Sequence, residues 1–313
     1  MKKFWIISLS CMFTLIVSTI LLYSIQSRME PTQSNEHFSA LTHNEEKSKV
    51  KPNKITDYLY ELTLSEDDLD YDFARDFFKA RYQTKLWACS SVRNDNFVWR
   101  NYDWYYDEAP ELVVHIPAND NRHASLNIVS FSLISTQDAE NGLTEEQLKL
   151  LPFIALDWIN DAGVAINVNV VPVWDMWFTT WTNPEWTGWS TMNVVRLVLD
   201  FADSVDNAVE LLKWLNLYSP NVDNFTEEFH FMISDSEKTV IVEFVNNEMV
   251  VIEWNIMTNF YVSSEYTPHA AWIERYNLLK ENYESSNTKD GMIDLMKSVR
   301  YSKAYSRDTN PFW

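Results

Sequence analysis

Apolar and polar positions divide the chain into stretches of different period. Residues 4 to 23 carry no charge and follow Met1-Lys2-Lys3. Residues 28 to 54 are polar, with Pro31, Pro52 and many Lys, Glu, Ser and Asn, and read as a linker. Across 55–83, Leu69, Phe73, Phe77 and Tyr82 recur near helical spacing behind an acidic start, which predicts one or two amphipathic helices. From residue 89 onward the period is mostly two. The stretches ACSSV (88–92) and FVWR (97–100) flank the turn-rich Arg93-Asn94-Asp95-Asn96, so a β-hairpin is predicted. ELVVHIP (111–117), ASLNIVSFSLI (124–134), FIALDWIN (153–160) and GVAINVNVVPVW (163–174) read as strands, the last two joined by a turn at 160–163.

Residues 192–215 read as helical, with Val205, Ala208, Val209, Leu212 and Leu215 on one face. Strand signals return over 229–262. Phe229, Phe231 and Ile233 alternate with polar neighbours, Asp235 to Lys238 turns, and Val240, Val242 and Phe244 alternate back. Residues 269–283 and 289–299 read as helices. Strands, helices, strands and helices in that order predict an α+β protein with sheet layers packed on helix layers.

Composition narrows the function classes. With 46% hydrophobic residues in 313, the chain can bury a sizeable core. It has 4 glycines and neither GxGxxG nor GxxxxGK[ST], which argues against a phosphate-cradling loop. A net charge of −20 repels nucleic acid. The uncharged run Phe4 to Tyr23 would span ~30 Å as a helix, enough to cross a bilayer. Residues 1–27 therefore read as a signal-anchor or signal peptide, with no clean small-x-small cleavage site before Arg28. The expectation is a transmembrane or secreted protein, in membrane contact through this segment and extracytoplasmic beyond it.

Cys11 lies in that apolar run, which leaves Cys89 as the one other thiol. It is either an inert buried thiol or one kept for reactivity. There is no HExxH motif and no GxSxG elbow. A Cys–His pair would need His115, His230 or His269, and nothing local selects one. A cut between Ala88 and Cys89 would supply a base directly. The freed α-amine has a pKa of roughly 7.7–8.0, suited to general base work. Arg100, across the hairpin, would favour the thiolate, and Asp103 would hold the amine.

Cys-Ser-Ser followed by Arg100-Asn101-Tyr102-Asp103 resembles the start of the choloylglycine hydrolase family, the linear amide C–N hydrolases. Asn160 to Gly163 is similar to that family's Asn–Glu–Lys–Gly turn, and Met257-Thr258-Asn259 to its Thr-Asn signature. The resemblance covers most of residues 88–283. It implies an N-terminal-nucleophile (Ntn) hydrolase with an αββα four-layer sandwich, acting on a small-molecule amide without a cofactor. Its domains would be 1–27, a polar linker 28–54, a helical pro-segment 55–88 removed by autoprocessing, and a catalytic domain 89–313. The chain stops at Trp313, where family members continue, which implies a C-terminally truncated sandwich.

The resemblance makes Cys89 the nucleophile, with Arg100 beside it and Asp103 on the α-amine. Asn259 would contact substrate and transition state. Asn169, or in its place Asn167, would complete the oxyanion hole, and Arg275, with Arg300 as runner-up, is the late active-site arginine. The aromatic run 174–189 suggests an acyl pocket containing Trp177, Trp181 and Trp186. Trp99 stands where the family usually has glycine. A homo-oligomer is compatible with this reading. Two other readings stay open: a carbohydrate- or wall-binding surface module with Cys89 inert, and a truncated family member that folds without turning over.

Overall fold

The computed structural model describes residues 50–65, 68–81, 88–95, 97–103, 110–131, 142–154, 157–172, 189–215, 217–218, 221–222, 225–245, 248–263 and 270–300. The chain divides into two compact units, Met1–Glu46 and Lys47–Trp313, and every described residue belongs to the second.

Among the described residues, fifteen strands and six α-helices form in the order β1 Asn53–Thr56, β2 Leu59–Thr63, α1 Tyr71–Arg81, β3 Ala88–Asn94, β4 Phe97–Asp103, β5 Glu111–Ile116, β6 Ser125–Ser130, α2 Glu145–Leu150, β7 Asp157–Asn160, β8 Ala165–Pro172, β9 Trp189–Ser190, α3 Val194–Phe201, α4 Val205–Trp214, β10 Leu217–Tyr218, β11 Asn221–Val222, β12 Phe225–Ser234, β13 Thr239–Val245, β14 Glu248–Glu253, β15 Ile256–Met257, α5 Ala270–Asn282 and α6 Lys289–Ser298. The large sheet runs β1-β2-β5-β6-β7-β8-β12-β13-β14, with β11 on β12. A small sheet runs β15-β3-β4, and β9 and β10 make a parallel pair.

The two faces of the large sheet meet different partners. Leu112, Val114, Ile166, Val168, Phe231 and Val242 point to one side and are buried. There α3 packs on β7 and β8, and α4 packs on β12 and β13. The other face carries Asp157, Asn167, Asn169, Met232 and Ile241, and on it β3 packs against β8. Helices α5 and α6 contact the small sheet through β3, β4 and β15. Strand β13 is buried at all but its last position because both of its faces are covered. The edge strand β1 is short and exposed throughout, as an unpaired edge favours.

Two turns set the geometry that matters for the site. Asp95 takes φ 51° in the β3–β4 turn, a left-handed conformation that a short polar side chain tolerates. Gly163 takes φ 87° between β7 and β8. Asn160 secures that second turn: its Oδ1 accepts from Val164 N–H, and its Nδ2 donates to the carbonyls of Leu199 and Ala202 at the end of α3.

Four expectations change. Of the helices expected across 55–83, only Tyr71–Arg81 forms among the described residues, and Asn53–Thr63 is a strand pair at the sheet edge. Tyr60 and Leu64 are buried with a period-two spacing, and β2 runs parallel to β5. The single helix expected over 192–215 is two, because Ala202 turns extended and Ser204 caps α4 by accepting from Asn207 N–H. The strand expected over 153–160 starts at Asp157, since Leu151–Phe153 is a 3-10 turn behind α2. The transmembrane expectation is corrected as well: no helix among the described residues is long and apolar enough to cross a membrane. The run Phe4 to Tyr23 on which it rested lies outside the described residues, as do residues 28–49 of the expected linker and residues 301–313 at the expected truncation.

Candidate active site

Strand alternation in the small sheet decides which side chains meet the large one. Cys89 and Ser91 point to one face of β3, and Ser90 and Val92 to the other. Arg100 lies opposite Ser91, and Tyr102 opposite Cys89, in the β3–β4 register. Ser91 Oγ donates to Asn169 Oδ1 at 3.3 Å, so this face looks toward β8. On the other face Val92 joins Ile256, Leu279, Met292, Leu295, Met296 and Val299 in an apolar cluster with α5 and α6. Trp99 packs against that cluster, which accommodates an indole opposite Val92. Asn101 Nδ2 ties β4 to the carbonyl of Met296 at 2.5 Å.

Cys89 is 2% exposed. The Arg100 guanidinium reaches it from the neighbouring strand, with Nη2 donating to Sγ at 3.3 Å. The other terminal nitrogen, Nη1, donates to Asp157 Oδ1 at 2.6 Å. The same carboxylate oxygen accepts from Asn167 Nδ2 at 2.6 Å, because Asn167 stands opposite Asp157 in the β7–β8 register. Cation, carboxylate and amide thus form one largely buried chain leading to the sulfur, where solvent screens charge less than at the surface.

The backbone N–H of Cys89 donates to Asn259 Oδ1 at 2.7 Å, and Asn259 Nδ2 donates to the Val170 carbonyl at 2.7 Å. Arg275 comes in from α5. Its Nη1 lies 3.4 Å from Asn259 Oδ1, its Nη2 3.2 Å from Ser90 Oγ, and its Nε donates to the Val299 carbonyl at 2.7 Å. Asn169 Nδ2 donates to the carbonyls of Met257 and Thr258 at 3.3 and 3.0 Å, bracing the stretch that ends in Asn259. His230 braces it from below: Nε2 lies 2.7 Å from the Thr258 carbonyl and Nδ1 3.2 Å from Glu243 Oε1. Glu243 also accepts from the N–H groups of Val262 and Ser263. Burial pushes the Glu243 carboxyl up, but its hydrogen bond with His230, the His230 charge and the Ser263 contact outweigh that and hold it below its ordinary value.

Cys89, Arg100, Asn259 and Arg275 are therefore brought together, with Asn169 one contact away through Ser91. Asp103 pairs in backbone register with Ala88, the residue before Cys89. Asn167 serves Asp157, and Arg300 is exposed. Both ring nitrogens of His230 are engaged by Glu243 and Thr258, and His115 lies 3.9 Å from Glu61. His269, Trp177, Trp181 and Trp186 lie outside the described residues. No motif in the sequence singles out Asp157 or Glu243, and none gives His230 a specific role. The one available signal is a charge at an inward strand position, since Asp157 interrupts the apolar run FIALDWIN and Glu243 the run TVIVEFV.

Glu111 lies on the same sheet face as Asp157, opposite Ser130. Burial pushes its carboxyl up to about 7; a hydrogen bond with Ser130 opposes this, Asp157 adds to it, and Arg100 opposes it. A folded pKa above the unfolded value of 4.5 means that the folded chain holds this proton more tightly. Its stabilising contribution is full below about pH 4.5 and is lost as pH rises through about 7. Glu111→Gln should therefore melt close to wild type at pH 5 and a few degrees higher at pH 8. Melting curves at both pH values check this; a gap that does not widen with pH would remove the titration.

The site thus lies where a thiol-bearing strand of one sheet crosses the asparagine-bearing face of another. Residues 88–300, more than half of the chain, match the linear amide C–N hydrolases, choloylglycine hydrolase family, and the chain belongs to that family. Membership and the mixed α/β topology together give an Ntn-hydrolase-like αββα fold in its general form. Among solved structures, penicillin V acylase from Agrobacterium tumefaciens is similar at 14% identity with a TM-score of 0.41, over 74% of this chain and 69% of that one. No curated protein matches the chain.

Proposed function

We propose that this protein hydrolyses a linear, non-peptide amide of a small molecule through Cys89, released as an N-terminal residue by cleavage after Ala88. The observation that carries the reading is the Arg100 guanidinium on Cys89 Sγ at 3.3 Å, while the Cys89 backbone nitrogen rests on Asn259 at 2.7 Å. A positive charge in contact with sulfur favours the thiolate, and the nitrogen that would become the α-amine already has an acceptor. The fold this requires is the four-layer αββα sandwich of Ntn hydrolases. The order of helix and sheet contacts, from α3 and α4 through both sheets to α5 and α6, supports it.

In the proposed reaction the Cys89 thiolate attacks the amide carbonyl, and the oxyanion is met by Asn259 and backbone N–H groups. The Cys89 ammonium gives a proton to the departing amine, leaving a thioester and a neutral α-amine. That amine takes a proton from water as the water attacks the thioester, which releases the acid and restores the thiolate–ammonium pair. Asp103, opposite Ala88 in register, is assigned to orient the α-amine. Asn169 is assigned to the hole indirectly, because its amide is committed to the Met257 and Thr258 carbonyls. Arg275 is assigned to hold Asn259 and Ser90. Trp177, Trp181 and Trp186 are assigned to the acyl side on sequence position alone. The basic start and the apolar run that follows support action outside the cytoplasm.

N-terminal sequencing of the active protein, with a panel of acyl amides as substrates, tests this. Activity should reside in chains that begin at Cys89, and Asp103→Asn should lower kcat by about 10- to 100-fold without loss of fold. Full activity in a chain that still carries residues 55–88 would overturn the mechanism.

A further inference from the structure

We propose that Asp157 is a positioning residue for the nucleophile: it holds the Arg100 guanidinium so that one terminal nitrogen lies on the Cys89 sulfur, and Asn167 in turn holds the Asp157 carboxylate. The inference rests on the reading of Cys89 as the reactive thiol. A guanidinium is planar and rigid, so fixing Nη1 fixes the direction of Nη2. Here Nη1 lies 2.6 Å from Asp157 Oδ1 while Nη2 lies 3.3 Å from Cys89 Sγ. The Arg100 and Asp157 side chains are 5% and 13% exposed, so the pair is held in a largely buried setting where a loose surface ion pair would not be.

The strand geometry makes the carboxylate a stable anchor. Asp157 opens β7 and stands opposite Asn167 in β8, so both side chains share a face and meet at 2.6 Å. Strand β4, which carries Arg100, belongs to the other sheet. The contact therefore joins the sheet bearing the thiol to the sheet bearing the asparagines. A carboxylate near a thiol would ordinarily disfavour the thiolate. In this arrangement the cation lies between them and is the nearer charge to sulfur, so its attraction prevails. Among the described residues, Glu111 on β5 senses both Asp157 and Arg100, and Tyr102 stands opposite Cys89 in the strand register.

The test reads the state of the thiol rather than activity alone. Cys89 labelling by iodoacetamide is followed from pH 5 to 10, in a Glu111→Gln background so that Glu111 does not add its own titration. Mass spectrometry sorts the chains, and rates are compared between chains with the same N-terminus. Asp157→Ala should raise the pH midpoint of labelling by about one unit or more and lower kcat at least about tenfold, with KM within about twofold. Asp157→Asn keeps an acceptor for Arg100 and should recover part of the shift. If Asp157→Ala does not fold, Asn167→Ala loosens the carboxylate alone and should shift the midpoint in the same direction by less. Folded variants with an unmoved midpoint and only a lower Tm would overturn the proposal. A lowered midpoint that depends on Asp157, in a protein that hydrolyses no amide, would keep this inference and sink the amidase reading instead.

Discussion

Cys89→Ala should leave a folded protein with no measurable amide hydrolysis, and Cys89→Ser should lose on the order of 10⁴-fold or more in kcat. The physical reason is the leaving group and the charge. A thiol near pKa 8.5 becomes a thiolate with help from one guanidinium, whereas an alcohol does not ionise at any working pH. The fold should tolerate either change, because Cys89 is small and its strand is held by neighbours. Val92 anchors β3 in the α5–α6 cluster, and the Cys89 backbone N–H keeps Asn259 whatever the side chain. The two substitutions also separate processing from turnover. Serine retains a nucleophilic atom at the Ala88–Cys89 junction and should still allow slow cleavage, while alanine should leave the chain whole. Rates on an acyl amide, melting curves and intact masses of the three proteins check this, and turnover by Cys89→Ala within tenfold of wild type would remove Cys89 from the chemistry.

Asp200→Ala should cost about 3–5 kcal/mol of stability and lower Tm by more than Cys89→Ala or Asp103→Asn does. Arg196 and Asp200 lie one turn apart on α3, and both side chains are fully buried between that helix and the large sheet. Arg196 Nη1 also donates to Ser125 Oγ at 3.0 Å, and Asp200 accepts from the Tyr71 hydroxyl of α1. Burial, with the nearby Asp200 charge, raises the Tyr71 hydroxyl pKa well above its ordinary value, so the tyrosine stays a donor. Removing Asp200 strands the guanidinium in the core without its counter-charge. Replacing both partners by apolar residues of similar volume, as in Arg196→Met with Asp200→Leu, should recover most of the loss, because no charge is then left buried. Chemical denaturation of wild type, single and double variants measures both effects; a double variant as unstable as Asp200→Ala would mean that the pair contributes more than mutual neutralisation.

The parts of the fold that are legible in the sequence are those with a strict local pattern. Phe229, Phe231 and Ile233 alternate through β12, and Asn160 to Gly163 ends β7 with a glycine at positive φ. The β3–β4 hairpin is visible because a polar tetrad separates two apolar runs. Tyr60, Leu62 and Leu64 carry the same period-two signal, but an acidic neighbourhood resembling a helix start obscures it and hides β2. The site follows the same division. Cys89, Arg100 and Asp103 can be grouped because one hairpin carries them. Asn259 and Arg275 need a family pattern, since they arrive from distant segments. The choice between Asn167 and Asn169 turns on what each one meets: Asn167 meets Asp157 of the neighbouring strand, which Arg100 of the other sheet also reaches, and Asn169 meets the Ser91 hydroxyl and the Met257 and Thr258 carbonyls. Asp157 shows in the sequence only as a charge at an inward strand position, and that gains meaning when a cation from another sheet reaches it.

Strand β2 and helix α1 both precede Cys89 in the chain, yet β2 pairs along its whole length with β5, and Ala74 of α1 is fully buried. If the chain is cut after Ala88, the earlier segment would remain in the same folded body, held by strand pairing and side-chain packing alone. Folding would then change molecularity. The uncut chain folds in a first-order process indifferent to dilution, whereas the cut protein, once unfolded, must find its missing strand by encounter. Its stability becomes a function of its own concentration, so the step that releases the nucleophile would also fix the protein in a state that dilute refolding does not readily regain.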